Sequence, residues 1–177
     1  MHWLAWWPTV IVLAIAVYTD LRSRRIPNWL VFPFMLAGIV MYGVHGGWQG
    51  LGQSLLGFAL GASIFGLFAW LGGMGMGDVK LIAAIGAWIG PHQLLIALLM
   101  TGIMGGIMAM LWAIKDGFLG ELFSNTGAIL GGMRKHGLKP HPQLVLSNPL
   151  TRKMPYAPAI AVGTLLSFFS ATPPPHL

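Results

Sequence analysis

The chain has 177 residues, of which 56% are hydrophobic and only 8% charged. A soluble domain carries roughly a quarter charged residues, so too few polar side chains are present to cover a water-facing surface, and the class is integral membrane protein. The net charge of +6 comes from ten Lys and Arg residues that mark the ends of apolar runs or one long polar stretch, which excludes a nucleic-acid face, and the lack of cysteine excludes disulfides, thiolate metal sites and a cysteine nucleophile.

Six apolar segments follow in chain order: 3–19, 29–45, 51–72, 79–90, 93–114 and 154–171. A crossing takes about 20 residues, with about 17 as the lower limit, so the segment 79–90 is short. The first segment is not a secretory signal, because its positive charge, "RSRR", follows the apolar core instead of preceding it. Pro27, Pro91 and Pro155 fall near expected helix starts, where a missing amide hydrogen is tolerated. With the N-terminus outside, the connections 20–28, 73–78 and 115–153 are cytoplasmic and hold all ten basic residues, counting Lys80 at the start of the fourth segment. One crossing more or fewer would split them between the two sides.

The expectation is therefore an all-α integral membrane protein, a bundle of about six transmembrane helices with both termini extracytoplasmic. Residues 1–177 form a single polytopic domain, with a cytoplasmic loop at about 115–153 and no separate methyltransferase or zinc domain. That loop has room for a short amphipathic surface helix around Phe118–Phe123. Trp3, Trp6, Trp7, Trp48 and Trp88 are expected in an outer interfacial belt, and Trp29 near an inner end. The glycines within helices, as in "GFALGASIFG", suit close helix packing.

The acidic residues are Asp20, Asp78, Asp116 and Glu121. The last two belong to the polar loop, whereas Asp20 closes one apolar segment and Asp78 opens another at the same expected membrane face. As a helix, 79–90 spans about 18 Å, against a hydrocarbon core of about 30 Å. The preceding "GGMGMG" is then expected to dip below the interface as irregular backbone, which is tolerated only in a protein-lined or wet recess. An ionisable residue at that depth is a functional candidate; the competing account is that Asp78 only caps the fourth helix.

Two carboxyls brought close in a low-dielectric pocket do not both ionise, so they share a proton. That suits peptide hydrolysis: one carboxylate takes a proton from a bridging water while the protonated partner polarises the scissile carbonyl. Other chemistries find less support. Of the histidines, His2, His45, His92 and His176 fall outside, His136 and His141 lie in the loop, and no HExxH pattern offers a zinc site. No metal and no cofactor is expected.

"YTDLRSRRIPNWL", then "GMGDVKL", then "MPYAPAIAVG" resemble, in that order, the motifs of the type IV prepilin peptidases, the GxGD intramembrane aspartic proteases, and run from Tyr18 to Gly163. The resemblance implies an endopeptidase that removes the basic leader of prepilins or pseudopilins at the cytoplasmic face of the bacterial inner membrane. It implies Asp20 and Asp78 as the catalytic pair, with Gly75, Gly77 and Lys80 as supporting residues. The partners implied are the prepilin substrate, the lipid bilayer and a pilus or secretion assembly machine. The chain looks like the short form found with Flp, or tight-adherence, pili. Larger members carry paired CxxC motifs and methylate the new pilin terminus; with no cysteine here, peptidase activity alone is expected. Asn28, Pro155 and Tyr156 are weighed as pocket residues, although helix starts and packing account for them equally well. The alternatives are an ion- or proton-conducting subunit and a non-catalytic assembly component. Conduction finds little polar residue beyond Gln93 and Thr101 along its path.

Overall fold

The computed structural model describes residues 2–115, 117 and 154–170, with side chains from residue 6 onward. Nearly all of the loop 115–153 lies outside the described residues, with the expected helix around Phe118–Phe123, Asp116, Glu121, His136 and His141. The described residues form four helices: α1 (His2–Ser23), α2 (Asn28–Trp70), α3 (Met76–Lys115) and α4 (Ala157–Ser170). α2 and α3 are each long and apolar enough to cross a membrane. Large apolar side chains such as Trp29, Val40, Val44, Leu99, Leu111 and Phe169 cover the outside. A surface of that kind has no counterpart on a water-soluble monomer. The described residues are helical throughout their regular structure, and two long apolar helices are consistent with a membrane protein.

Six segments were expected where four helices are found, and the two counts are reconciled by two glycines. α2 leaves helical geometry at Gly47 (φ 56°, ψ −144°) and α3 at Gly90 (φ 75°, ψ 172°). Positive φ is accessible to glycine without a Cβ clash, and Pro91 directly after Gly90 opens the next run without needing its amide hydrogen bond.

Contacts fix the direction of each half. Lys80 Nζ donates to Asn28 Oδ1 at 3.2 Å, and Trp88 Nε1 donates to the Phe34 carbonyl at 2.6 Å. Residues 28–46 therefore run parallel to 76–89. Ser54 Oγ donates to the Ala87 carbonyl at 2.7 Å, Gly57 lies on the Gly86 backbone, and Gly61 lies on Ile82 and Ala83. Residues 48–70 therefore run antiparallel to 76–89, so α2 reverses at Gly47. α3 folds back at Gly90 in the same way, with Leu94 packed on Gly86. Gln93 Nε2 donates to the Ser167 carbonyl at 2.8 Å, while Gly105 packs on Tyr156, so 91–115 runs antiparallel to α4. Trp6 meets Phe168 with ring centroids 4.8 Å apart at one end of α1, and Asp20 meets Ala157 at the other.

The segment 76–89 is the central strut. Leu81, Ile82, Ala84, Ile85 and Ala87 are fully buried, with Leu13, Leu94 and Ile160 packed in the same core. One expectation fails here: Trp88 is not an interfacial residue. It is 5% exposed, stacks on Phe34 at 5.1 Å and satisfies its N–H on the Phe34 carbonyl. An indole can be buried this way because its single donor has found a partner. Trp7, Trp29 and Trp48, in contrast, are exposed.

The strut also starts earlier than expected, at Met76 and not Val79. The amides of Asp78 and Val79 both donate to the Gly75 carbonyl, at 3.1 and 3.4 Å, which carries the helix back across Gly77. Asp78 is thus inside the first turn and not at the cap. Residues 76–89 still span only about 21 Å, short of a core about 30 Å thick.

Candidate active site

The end of the bundle opposite Gly47 and Gly90 gathers the last turn of α1, the α1–α2 link, the turn from α2 to α3, and the start of α4. Asp20 lies in the last turn of α1, 6% exposed. Arg24, whose amide donates to the Asp20 carbonyl at 2.8 Å, ends that helix in a left-handed conformation (φ 52°) that few residues other than glycine adopt. The reversal turns the chain towards α2 through Ile26 and Pro27, the latter capping α2.

The second carboxyl arrives from the strut. Leu71 caps α2, Gly72 takes a left-handed φ of 80°, and the chain re-enters helix at Met76. A Cβ on Gly75 would stand 3.3 Å from Asp78 Oδ2, so a bare backbone there leaves the carboxyl room to turn back over the loop. A Cβ on Gly77 would touch Ile26 at 3.4 Å, so that glycine lets the strut lie against the α1–α2 link.

Asp20 and Asp78 face one cavity of about 280 Å³, lined also by Arg24, Arg25, Ile26, Gly75, Met76 and Gly77. The two carboxyl groups are close enough to interact electrostatically. Asp20 is held from a third direction: the backbone N–H of Ala157, at the start of α4, donates to its Oδ2 at 3.1 Å. The helix N-terminus carries partial positive charge, so α4 aims a favourable end at the carboxylate. Asp78 opens on its other side into a second cavity of about 340 Å³, lined by Phe68, Gly73, Met74, Gly75, Met154 and Tyr156.

Four of the five site residues expected from sequence, Asp20, Asp78, Gly75 and Gly77, therefore line one cavity. Lys80 lines neither; it reaches Asn28 and sits over the Phe32 ring, 5.7 Å from the centroid. Asn28 serves that lysine, while Tyr156 does line a cavity. The Ala157 donor is a backbone group and leaves no side-chain signal in the sequence. Among the described residues no third carboxylate or histidine joins the pair in a metal-binding group.

The type IV leader peptidase family matches residues 7–110, more than half of the chain and a span that contains both aspartates. This chain belongs to that family. Among similar curated proteins, the prepilin leader peptidase/N-methyltransferase of Aeromonas hydrophila is 32% identical over 106 residues, covering 56% of this chain and 36% of that protein. The protein of the same name from Neisseria gonorrhoeae is 28% identical over 107 residues, covering 56% of this chain and 37% of its own length. That from Bacillus subtilis strain 168 is 28% identical over 160 residues, covering 89% of this chain and 52% of that protein. The matched region thus spans between about a third and a half of these relatives. No solved structure matches the chain.

Proposed function

We propose that this member of the leader peptidase family is an intramembrane aspartic endopeptidase, with Asp20 and Asp78 as its catalytic pair. Its substrate is the basic leader of a Flp-like prepilin or pseudopilin, cut at the cytoplasmic face of the inner membrane. The observation that carries the reading is the convergence of two carboxyls, 58 positions apart in sequence, on one cavity at one end of an apolar bundle.

Between them the pair holds one proton and one negative charge. A water bridging the carboxyls gives a proton to the ionised member as its oxygen adds to the scissile carbonyl carbon, while the protonated member donates to the carbonyl oxygen. Collapse of the tetrahedral intermediate breaks the C–N bond, and the amine leaves with a proton returned by the pair. The two cavities meet at Gly75 and Asp78, so an extended peptide crossing Asp78 has one flank in each. Six crossings with both termini outside, and a single domain, complete the proposal. The ends of the segments at Gly47 and Gly90 then lie on the outer side and the carboxyls near the inner one. The pilus or secretion machinery receives the product.

The test is leader removal from a co-expressed Flp-type prepilin in membranes, comparing the parent with Asp20→Asn and Asp78→Asn. Processing is expected in the parent and in neither variant. Cleavage by either variant at the parental rate rejects the aspartic mechanism.

A further inference from the structure

The second cavity at Asp78 holds a group that the paired-carboxyl mechanism leaves unused. Among the described residues that line it, Tyr156 is the one besides Asp78 whose side chain carries a hydrogen-bond donor; the others are Phe68, Met74, Met154 and two glycines. The ring is fixed from two sides. Phe65 packs against it with centroids 6.4 Å apart, and Gly105 of α3 leaves the space its hydroxyl end occupies, where a Cβ would come within 2.5 Å of the oxygen. Tyr156 and Asp78 line the same cavity. Ala157, the next residue, binds Asp20 through its N–H. Consecutive residues at the entry to α4 therefore reach both sides of the site, Tyr156 in the cavity that Asp78 lines and Ala157 on Asp20.

We propose that Tyr156 is a further catalytic residue, its hydroxyl donating a hydrogen bond to the scissile carbonyl oxygen as negative charge develops there. The inference rests on the Asp20–Asp78 pair being the hydrolytic centre. No proton leaves the phenol: it adds a second hydrogen bond to the carbonyl oxygen beside that of the protonated carboxyl, while the carboxyl pair handles the protons. A donor already placed against developing charge in a water-poor site is worth most in the transition state and little in the ground state. The packing on Phe65 and Gly105 is the kind of support that keeps such a donor in place.

The experiment uses the full chain in lipid nanodiscs and a purified Flp-type prepilin that retains its leader. Tyr156→Phe keeps the ring and its contacts and removes only the hydroxyl. It is expected to lower kcat on the order of 100-fold, with KM within about threefold, the thermal midpoint unchanged and the pH profile in place. Gly105→Ala keeps the hydroxyl but displaces the ring; it is expected to lower kcat too, and the double variant to lose no more than Tyr156→Phe alone, because both act on one group. A parental kcat in Tyr156→Phe overturns the proposal. So does a shifted pH profile with a parental plateau, since the hydroxyl would then act through the carboxyl pair. Fully additive losses in the double variant would make Gly105 and Tyr156 separate packing effects, and would also overturn it. Failure of the underlying mechanism is visible separately, as cleavage by Asp20→Asn or Asp78→Asn.

Discussion

The backbone N–H of Ala157 donates to the Asp20 carboxylate at 3.1 Å, across 137 positions of sequence. The bond joins the last turn of α1 to the first turn of α4, and both residues are buried. It gives Asp20 a structural duty beside its proposed chemical one, and the two are separable. Asp20→Asn retains an oxygen that can accept from the amide, while Asp20→Ala leaves a buried N–H unpaired, at a cost of about 1–3 kcal/mol. Both variants are expected to lose cleavage, but Asp20→Ala alone is expected to unfold roughly 2–10 °C lower. Thermal unfolding of the purified protein in detergent checks this, and equal midpoints for the two variants would remove the structural duty.

The helix pairing inside the bundle rests on contact between backbones. A Cβ on Gly57 would collide with the Gly86 carbonyl, and one on Gly86 with the Gly57 carbonyl. Neither obstacle is a side chain that can swing away, so the helices must separate. Gly57→Ala and Gly86→Ala are each expected to destabilise by about 1–3 kcal/mol. Gly102→Ala and Gly106→Ala meet open space and are expected to be neutral or stabilising by up to about 1 kcal/mol. Midpoints measured for the four variants side by side decide the matter: if all four shift alike, close approach at Gly57 is not what holds the pair together.

The sequence reading and the structure diverge at identifiable places. Charge scarcity and apolar runs were enough to mark six helical stretches, because lipid solvation acts on composition alone. The turns at Gly47 and Gly90 fall at or beside the breaks expected between apolar segments, the first glycine-rich and the second marked by Pro91, and Asp20 and Asp78 stood out as the acids at the ends of apolar runs. Trp88 was misplaced because an indole that finds a backbone acceptor becomes a core residue, and its acceptor on Phe34 lies 54 positions away. Met76 was assigned to the loop because glycines around it argue against helix locally, whereas the Gly75 carbonyl accepts two amides. The Ala157 amide has no signature by residue type, being a backbone group aimed by the tertiary fold.

Lys80 follows the aspartate of the GMGD stretch by two residues, yet it points to Asn28 and Phe32. Its hydrogen bond is exposed, and exposed charged contacts contribute about 0–1 kcal/mol. Lys80→Met is therefore expected to keep cleavage within about fivefold of the parent, in contrast to the complete loss expected at Asp78. Prepilin processing measured by the size shift of the pilin band compares the two directly. A loss in Lys80→Met as deep as in Asp78→Asn would bring the lysine into the reaction.

The proposed topology is testable with little preparation, because the natural chain has no cysteine. Single cysteines at Gly46 and His92 flank the two glycine breaks, at the end of the bundle away from the carboxyls; single cysteines at Arg25 and Gly73 lie at the carboxyl end. All four positions are at least partly exposed. In sealed right-side-out cells, a membrane-impermeant maleimide is expected to label positions 46 and 92 and to leave 25 and 73 unlabelled until the cells are lysed. Positive charge explains the direction: Arg22, Arg24, Arg25 and Lys80 all sit at the carboxyl end and favour the cytoplasm. Labelling of 46 and 92 from opposite sides would mean that Gly47 or Gly90 does not return the chain across the bilayer. Labelling of 25 and 73 from outside would put the carboxyls at the wrong face to meet a leader before export.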